Sequence, residues 1–529
     1  MARSDSRSPE PSRIGGLCGM IFLVSLAVYA YTAQRGVSWQ DSGEFQYRVL
    51  AGDYFWISGI ARAHPWYIWT ARGFSSLFPA PHQFYAMNLF SGVGMSAALV
   101  FLALSLWSLT RNTWAVVIAV SSLGLAHMAW WMSTIAEVYT WSAAFLLAEL
   151  FCLLKIVGKE RDTTGAARGA AETRPLEKNV GWWMALAAVN GLHASLHNFA
   201  FLNLPVYAVL FVTQHSKQTA RLIFGRLGIC LVTWLAGASL LVWLFVLEWR
   251  ATGAFLDTVK SVLFGREFEH VVLGTRSVNW HLAAMNLALA SVSLLNPCWL
   301  FACYSWTALK SSKTRGWCLL GLTAIHFLFW IRYFVADQAT FVLPVLSLLA
   351  IWLGWGFATR GLRTPLCAAL VFVGVGCSIL GPIAVRAVLM ERQGGVVRPR
   401  TLPFRDETRY WLFPWKQDEK SAEQFSEGIQ GILREQDVLL ADNTAAGPVV
   451  AMREAGRLPR NMRVIAFFTG ETDDEQARIA AENERVFIVS PVPGYASPKL
   501  LDGRFTFERE GVLYRVMGKR RKAAEGADE

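Results

Sequence analysis

Charge is scarce in this chain. Asp, Glu, Lys and Arg make up 17% of its 529 residues, against 54% hydrophobic ones, and the mean hydropathy is +0.33. That balance excludes a soluble protein of this length. Cysteine offers little to build on: all eight lie in or beside apolar segments and none in the polar C-terminal region. A disulfide framework and a cysteine-based zinc site are therefore excluded, and the thiols read as small packing residues. The C-terminal region lacks a glycine-rich phosphate loop, and no internal repeat runs along the chain. No Asn-x-Ser/Thr acceptor occurs anywhere, which favours a bacterial plasma membrane over an endoplasmic reticulum. No small-residue cleavage pattern follows the first apolar run, so that run is expected to stay as a helix rather than leave as a signal peptide.

What the chain does have is long apolar windows. A bilayer core about 30 Å thick needs roughly 20 apolar residues per helix, and that criterion gives about eleven spans. They fall at 14–33, 86–109, 114–131, 135–154, 181–196, 199–214, 227–247, 281–309, 316–331, 339–358 and 364–389. The 181–214 stretch is thin for two crossings and reads as a hairpin that is broken or re-entrant. The 281–309 run carries Pro297, where a kink is expected.

Lys and Arg in short loops stay cytoplasmic, which makes them a test of sidedness. Arg3, Arg7 and Arg13 precede the first span, and Arg111 separates the second and third. Lys155, Lys159, Arg161, Arg168, Arg174 and Lys178 fill one loop. Lys217, Arg221 and Arg226 follow, then Lys310, Lys313 and Arg315, then Arg360 and Arg363. Every cluster lands on one side when the N-terminus is inside. The net charge of +11 is thereby spent on orientation, and nucleic acid is not an expected partner.

The opposite face receives 34–85, the turn before Glu137, the His193/His197 turn, 249–280, the 332–337 turn and everything after about position 392. Past that point β-branched runs at 438–440, 464–468, 486–489 and 513–516 alternate with helical stretches at 421–434 and 473–484, the pattern of an α/β domain. The expected architecture is mainly α: a polytopic helix bundle over 1–390, with a soluble α/β domain over 391–529 outside.

The polar groups with chemical potential collect on that outer face. Asp41-Ser42-Gly43-Glu44 follows the first span by a turn or two. It reads either as a capping-box variant starting a helix toward Trp56 or as a catalytic pair. His64-Pro65, with Arg62 and Arg72 nearby, is a turn with surface charge or an anion site for a lipid phosphate. Glu137, followed by Tyr139, sits in an apolar run, and an acid at membrane depth is expensive enough to be a functional candidate; half-solvation at the boundary is the alternative. His193 and His197 are four apart, a metal-pair spacing, but without a third ligand they read as hydrogen-bonding groups. Tyr333 precedes Asp337, which sits at an outer turn as a binding group or a helix N-cap. No metal ligand set is assigned; a divalent metal is compatible with this reading and not required by it.

Together these groups suit one chemistry. A polyprenyl-phosphate sugar keeps its tail in the bilayer and its glycosyl phosphate at the headgroup plane. Transfer with inversion needs a carboxylate base for the acceptor hydroxyl and cationic or hydrogen-bonding groups for the departing phosphate.

At these residues the sequence resembles the multi-pass membrane proteins of GT-C type long described as a domain of unknown function, one branch of which includes an animal transmembrane protein O-mannosyltransferase. The resemblance runs through Asp41-Ser42-Gly43-Glu44, His64-Pro65, Asn88-Leu89-Phe90-Ser91, Trp131, Glu137-Val138-Tyr139, Gly191-Leu192 with His197 and Pro205, and Tyr333 and Asp337 ahead of Pro344. In the tail it resumes at Pro403-Phe404-Arg405-Asp406, Tyr410, Pro414 and Ala441-Asp442-Asn443-Thr444. Relatives continue the His-Pro with a Gly-Tyr-Pro-like stretch, whereas this chain has Trp66-Tyr67-Ile68-Trp69, so the resemblance does not fix the sugar.

The resemblance implies a GT-C fold and sugar transfer from a lipid-phosphate donor to a protein Ser/Thr or glycan hydroxyl on the outer face. Asp41 is the implied base, with Glu44 positioning it or standing in for it. Arg62 or Arg72 would hold the phosphate, and His64, Glu137, Tyr139, His197 and Tyr333 would line the site. Asp337 would orient a sugar or a loop, and the tail would present or select the acceptor. The competing expectation is a transporter or flippase of lipid-linked glycans, which would show midplane binding groups and repeats. A third is a non-catalytic assembly factor.

Overall fold

The computed structural model describes residues 11–55, 58–158, 177–216, 218–266, 278–309, 313–391, 402–467 and 473–518. Arg3, Arg7, Trp56, Lys159, Arg161, Arg168, Arg174, Lys217 and Lys310 from the sequence reading lie outside the described residues. Among those described, seven helices are long and apolar enough to cross a bilayer: 14–32, 80–110, 139–157, 220–237, 313–332, 338–358 and 364–391. The chain is an integral membrane protein.

Breaks interrupt four stretches of the expected windows, the one overlapping 220–237 included. Window 114–131 holds α5 (Thr113–Gly124), only 12 residues long, and the short α6 (His127–Met132). α5 starts where the Asn112 side chain accepts the Ala115 N–H at 3.1 Å, an N-cap. Window 181–214 is two helices, α8 (Glu177–Leu196) and α9 (Phe199–His215), broken only at His197 and Asn198. Window 227–247 divides at Ala238 between α10 (Ala220–Gly237) and α11 (Ser239–Thr252). Window 281–309 bends by 87° between 280–294 and 297–307. Pro297 has no N–H to continue the first helix, and Asn296 caps the second through the Cys298 N–H at 2.9 Å.

Burial sorts the crossings. The windows within 338–358, 139–157 and 80–110 are 89%, 72% and 67% buried inside the protein, whereas 14–32 reaches 17% and 220–237 none. The first three form the centre, α1 (Pro11–Thr32) and α10 the lipid-facing rim. A helix apolar all round belongs in such a centre or in lipid.

Beyond the bundle the tail forms a five-stranded sheet of order β2-β1-β3-β5-β4. β1 (Val438–Asp442), β2 (Arg463–Phe467) and β3 (Val486–Ile488) run parallel; β4 (Phe505–Glu510) and β5 (Leu513–Gly518) are an antiparallel hairpin joined to β3 through β5. β1 and β3 are buried throughout, as apolar runs in a covered parallel sheet should be. β4 runs Phe, Thr, Phe, Glu, Arg and Glu over half-buried and exposed positions and so carries no β-branched run.

Residues 402–420 fold back onto the bundle. The Lys416 N–H donates to Thr32 O and the Thr134 hydroxyl to Pro414 O, both at 2.8 Å. Trp411 packs edge-on against Trp131 and Trp415 tilts against Trp130, with ring centroids 5.2 and 5.4 Å apart. The sheet domain is thus tied to the end of the bundle where the first span finishes and the Glu137 turn begins.

Candidate active site

α2 (Gln40–Ala51) carries the acidic tetrad, and its local chemistry sets the site. Its first residue, Gln40, has φ +61°, an uncommon conformation for a residue with a β-carbon. Trp39 is the N-cap and makes no side-chain cap, so the capping-box alternative for Asp41 and Glu44 does not describe this helix start. Glu44 turns instead toward two guanidinium groups, those of Arg48 and Arg62, both at 3.9 Å. Arg62 also reaches Asp41, at 3.8 Å. Arg48 is fully buried and donates to the carbonyl oxygens of Asp53, Arg62 and Ala63. It therefore ties Asp53, Arg62 and Ala63 to α2 and aims Arg62 at the acids.

The same loop delivers His64, the N-cap of α3 (Pro65–Ser75), which sits at φ +48° with Pro65 in the first helical position. Its ring Nδ1 lies 2.7 Å from Leu196 O; since a carbonyl only accepts, Nδ1 carries the proton and Nε2 the lone pair. Burial pushes this imidazole down to about 3, the Leu196 bond opposing and Arg48 and Arg62 adding to the fall, so the ring is neutral at pH 7. His64 stacks on His197 with centroids 5.2 Å apart, and Tyr139 closes on His197 at 5.7 Å.

Glu137 completes the cluster. The Ser42 hydroxyl donates to its Oε1 at 2.8 Å, and Ser91 exchanges hydrogen bonds with its backbone N–H and C=O at 2.8 and 3.0 Å. Burial first, then the charge of Asp41, raises the Glu137 carboxyl well above the ordinary range, against the Ser42 bond. Asp337 bears electrostatically on Arg62, Glu137 and Tyr333. It precedes the 3-10 turn Gln338–Val342 without capping it through its side chain, so the N-cap alternative does not hold there.

Glu44 titrates in a predictable direction. Burial, opposed by Arg62 and Arg48 and reinforced by Asp41, pushes its carboxyl from 4.5 up to about 7. The folded chain holds this proton more tightly than the unfolded one. Its contribution is fully present below pH 4.5 and is lost as the pH rises through about 7. The ceiling on that loss is about 3 kcal/mol. Glu44→Gln should flatten this segment of the stability–pH curve in chemical denaturation, and a curve that keeps its slope would assign the titration to another group.

Of the residues singled out from sequence, Asp41, Glu44, Arg62, His64, Glu137, Tyr139, His197, Tyr333 and Asp337 converge. Arg72 does not. It is exposed on α3 and lies against Gly52, the C-cap of α2, some 16 Å along that helix from Asp41. Arg62 is the guanidinium at the acids. His193 also departs: its Nδ1 meets Glu149 Oε1 at 2.7 Å within the membrane, one turn from His197. Among the described residues no group of three or more His, Cys, Asp or Glu is disposed to hold a metal ion.

Three features escaped the sequence reading. Ser42 couples the tetrad to Glu137, a pairing across 95 residues. Gly43 marks a helix crossing: a β-carbon there would lie 2.7 Å from the Gly447 carbonyl carbon and 2.8 Å from Pro448 N. The tail helix Asn443–Glu454, started by Asp442 accepting the Ala445 N–H at 3.4 Å, thus lies directly across the acid-bearing helix. The third is Glu149, whose only signal was an acid in an apolar window.

No family model matches this chain, and no curated protein matches it. Among solved structures it is similar to ArnT from Cupriavidus metallidurans bound to undecaprenyl phosphate: TM-score 0.53, 14% identity, covering 98% of this chain and 100% of that one. The apo state of the same protein gives TM-score 0.54 and 15% identity, over 95% and 98% of the two chains. An oligosaccharyltransferase from Archaeoglobus fulgidus aligns more loosely, with TM-score 0.47 and 10% identity over 85% and 64%. The architecture is that of the GT-C fold, a helical membrane bundle with a small C-terminal sheet domain.

Proposed function

We propose that this chain is a membrane glycosyltransferase moving a sugar from a polyprenyl-phosphate donor to a hydroxyl acceptor, a protein Ser/Thr or a glycan. One observation carries the reading. A carboxylate open to solvent, Asp41 with 39% of its side chain exposed, lies 3.8 Å from the Arg62 guanidinium at the end of a membrane bundle. Asp41 accepts the proton of the acceptor hydroxyl. The acceptor oxygen then bonds to the anomeric carbon from the side opposite the phosphate. The carbon–oxygen bond to phosphate breaks and configuration inverts. Polyprenyl phosphate leaves with the bonding pair, and Arg62 meets its charge.

The other groups supply recognition. Glu137 in its protonated form and the hydroxyls of Tyr139 and Tyr333 are donors for sugar oxygens, while neutral His64 and His197 form an imidazole wall beside them. Asp337 orients Arg62 and the sugar. ArnT, alike in fold, binds undecaprenyl phosphate, the leaving group that this scheme requires. In this reading residues 1–390 are the membrane domain and 391–529 the tail. The N-terminus is cytoplasmic, the site and tail face the periplasm, and the membrane is a bacterial inner one. Arg62→Ala tests the phosphate role: kcat/KM for a polyprenyl-phosphate sugar should fall about a hundredfold. An unchanged value would remove Arg62 from the scheme.

A further inference from the structure

α12 (Phe255–Leu263) is packed inside out. Its two buried residues are polar, Thr258 and Ser261, whereas Leu256 is 74% exposed and Phe255 50%. A helix bathed in water would reverse that choice, since burying apolar surface is the favourable direction. Nine residues span about 14 Å, under half the hydrocarbon thickness, so this helix does not cross. It follows α11, whose Trp243 and Trp249 are themselves about two-fifths exposed. Phe255 packs on Trp249 at 5.5 Å, which makes its outer face continuous with the aromatic rim of the bundle. We infer that α12 lies in the headgroup layer with Leu256 and Phe255 in lipid, as amphipathic interfacial helices do.

The inward face has a specific grip. Ser261 Oγ accepts the Ile60 N–H at 2.9 Å, and the Arg266 N–H donates to Ser58 O at 2.7 Å. Gly59, at φ +102°, lets the two segments meet: a β-carbon there would stand 2.8 Å from Ser261 Oγ. Ile60 opens the 3-10 turn that ends in Arg62, and Arg62 reaches Asp41 and Glu44. A lipid-seated helix is therefore bonded through one serine to the loop that sets the Arg62 guanidinium. The lipid contact stands independently of the proposed chemistry; its consequence for donor use rests on that reading.

Benzoylphenylalanine placed at position 256, in the full chain reconstituted in phosphatidylglycerol–phosphatidylethanolamine vesicles, should photo-crosslink to phospholipid. The same probe at Glu427, exposed on the tail, should give no lipid adduct. An adduct with a second copy of the chain, or no lipid adduct at 256, would overturn the lipid seat. Ser261→Ala should lower kcat/KM for the polyprenyl-phosphate sugar about tenfold and should have no further effect in an Arg62→Ala background. An unchanged kcat/KM, or an equal loss in that background, would overturn the link to Arg62. A lipid adduct at 256, together with a wild-type chain that transfers no sugar, would sink the glycosyltransferase reading and leave the lipid seat standing.

Discussion

Asp41→Asn should lower kcat for sugar transfer about a thousandfold, the range expected when a general base is lost, or about 4 kcal/mol in the barrier. Asparagine keeps the shape of the side chain and removes only the basic oxygen, so donor binding should persist. Asp41 is assigned this role, rather than Glu44 or Glu137, on access and charge together. Its carboxylate is 39% exposed against 10% for Glu44, and burial drives both glutamates toward their protonated forms. Single-turnover kinetics with saturating donor would isolate the step. Transfer at the wild-type rate would strip Asp41 of the base role, and the burden would pass to Glu44.

Glu149→Ala should destabilise the fold by about 3–5 kcal/mol, because it leaves several buried polar partners unsatisfied at about 1–3 kcal/mol each. In α7 (Tyr139–Val157) Glu149 is fully buried, yet none of its hydrogen-bonding capacity is idle. Oε1 pairs with His193 at 2.7 Å; Oε2 accepts from Asn190, Asn203 and Tyr207 at 3.1, 2.8 and 2.6 Å. His193 Nε2 continues to Ser142 at 2.7 Å, and Asn203 to His326 at 2.9 Å. The order Ser142–His193–Glu149 has the polarity of a hydrolytic triad, but Ser142 is 1% exposed and closed to solvent. The network is a clamp joining α7, α8, α9 and the 313–332 helix one turn below His197. Glu149→Gln keeps half of the acceptor capacity and should cost less than Glu149→Ala. Thermal unfolding in detergent orders the two variants, and a wild-type midpoint for Glu149→Ala would deny the clamp its weight.

The sequence made the convergence legible because ionisable residues at membrane depth are rare and each one stood out. Asp41, Glu44, Arg62, His64 and Glu137 were all visible for that reason. Arg72 departs from the cluster because nearness in sequence to His64 is not nearness in space: the two turns of α3 between them carry it away. Partners across the fold were not legible: nothing in a serine beside an aspartate points to a glutamate 95 residues on. The tail was recognised as α/β from its β-branched runs, but its placement was not. Two glycines, Gly43 and Gly447, let its helix cross α2, and a lone glycine in a helix has no partner written beside it. That crossing gives the tail a direct hold on the acid-bearing helix, besides the acceptor role expected of it.

The most direct test is a donor balance with the purified wild-type protein in vesicles. Given a polyprenyl-phosphate-linked sugar and a hydroxyl acceptor, it should release one polyprenyl phosphate for each glycoside formed, and it should leave nucleotide sugars untouched. Sugar drawn only from a nucleotide donor would contradict the account. So would lipid-linked sugar carried across the bilayer with its glycosyl–phosphate bond intact.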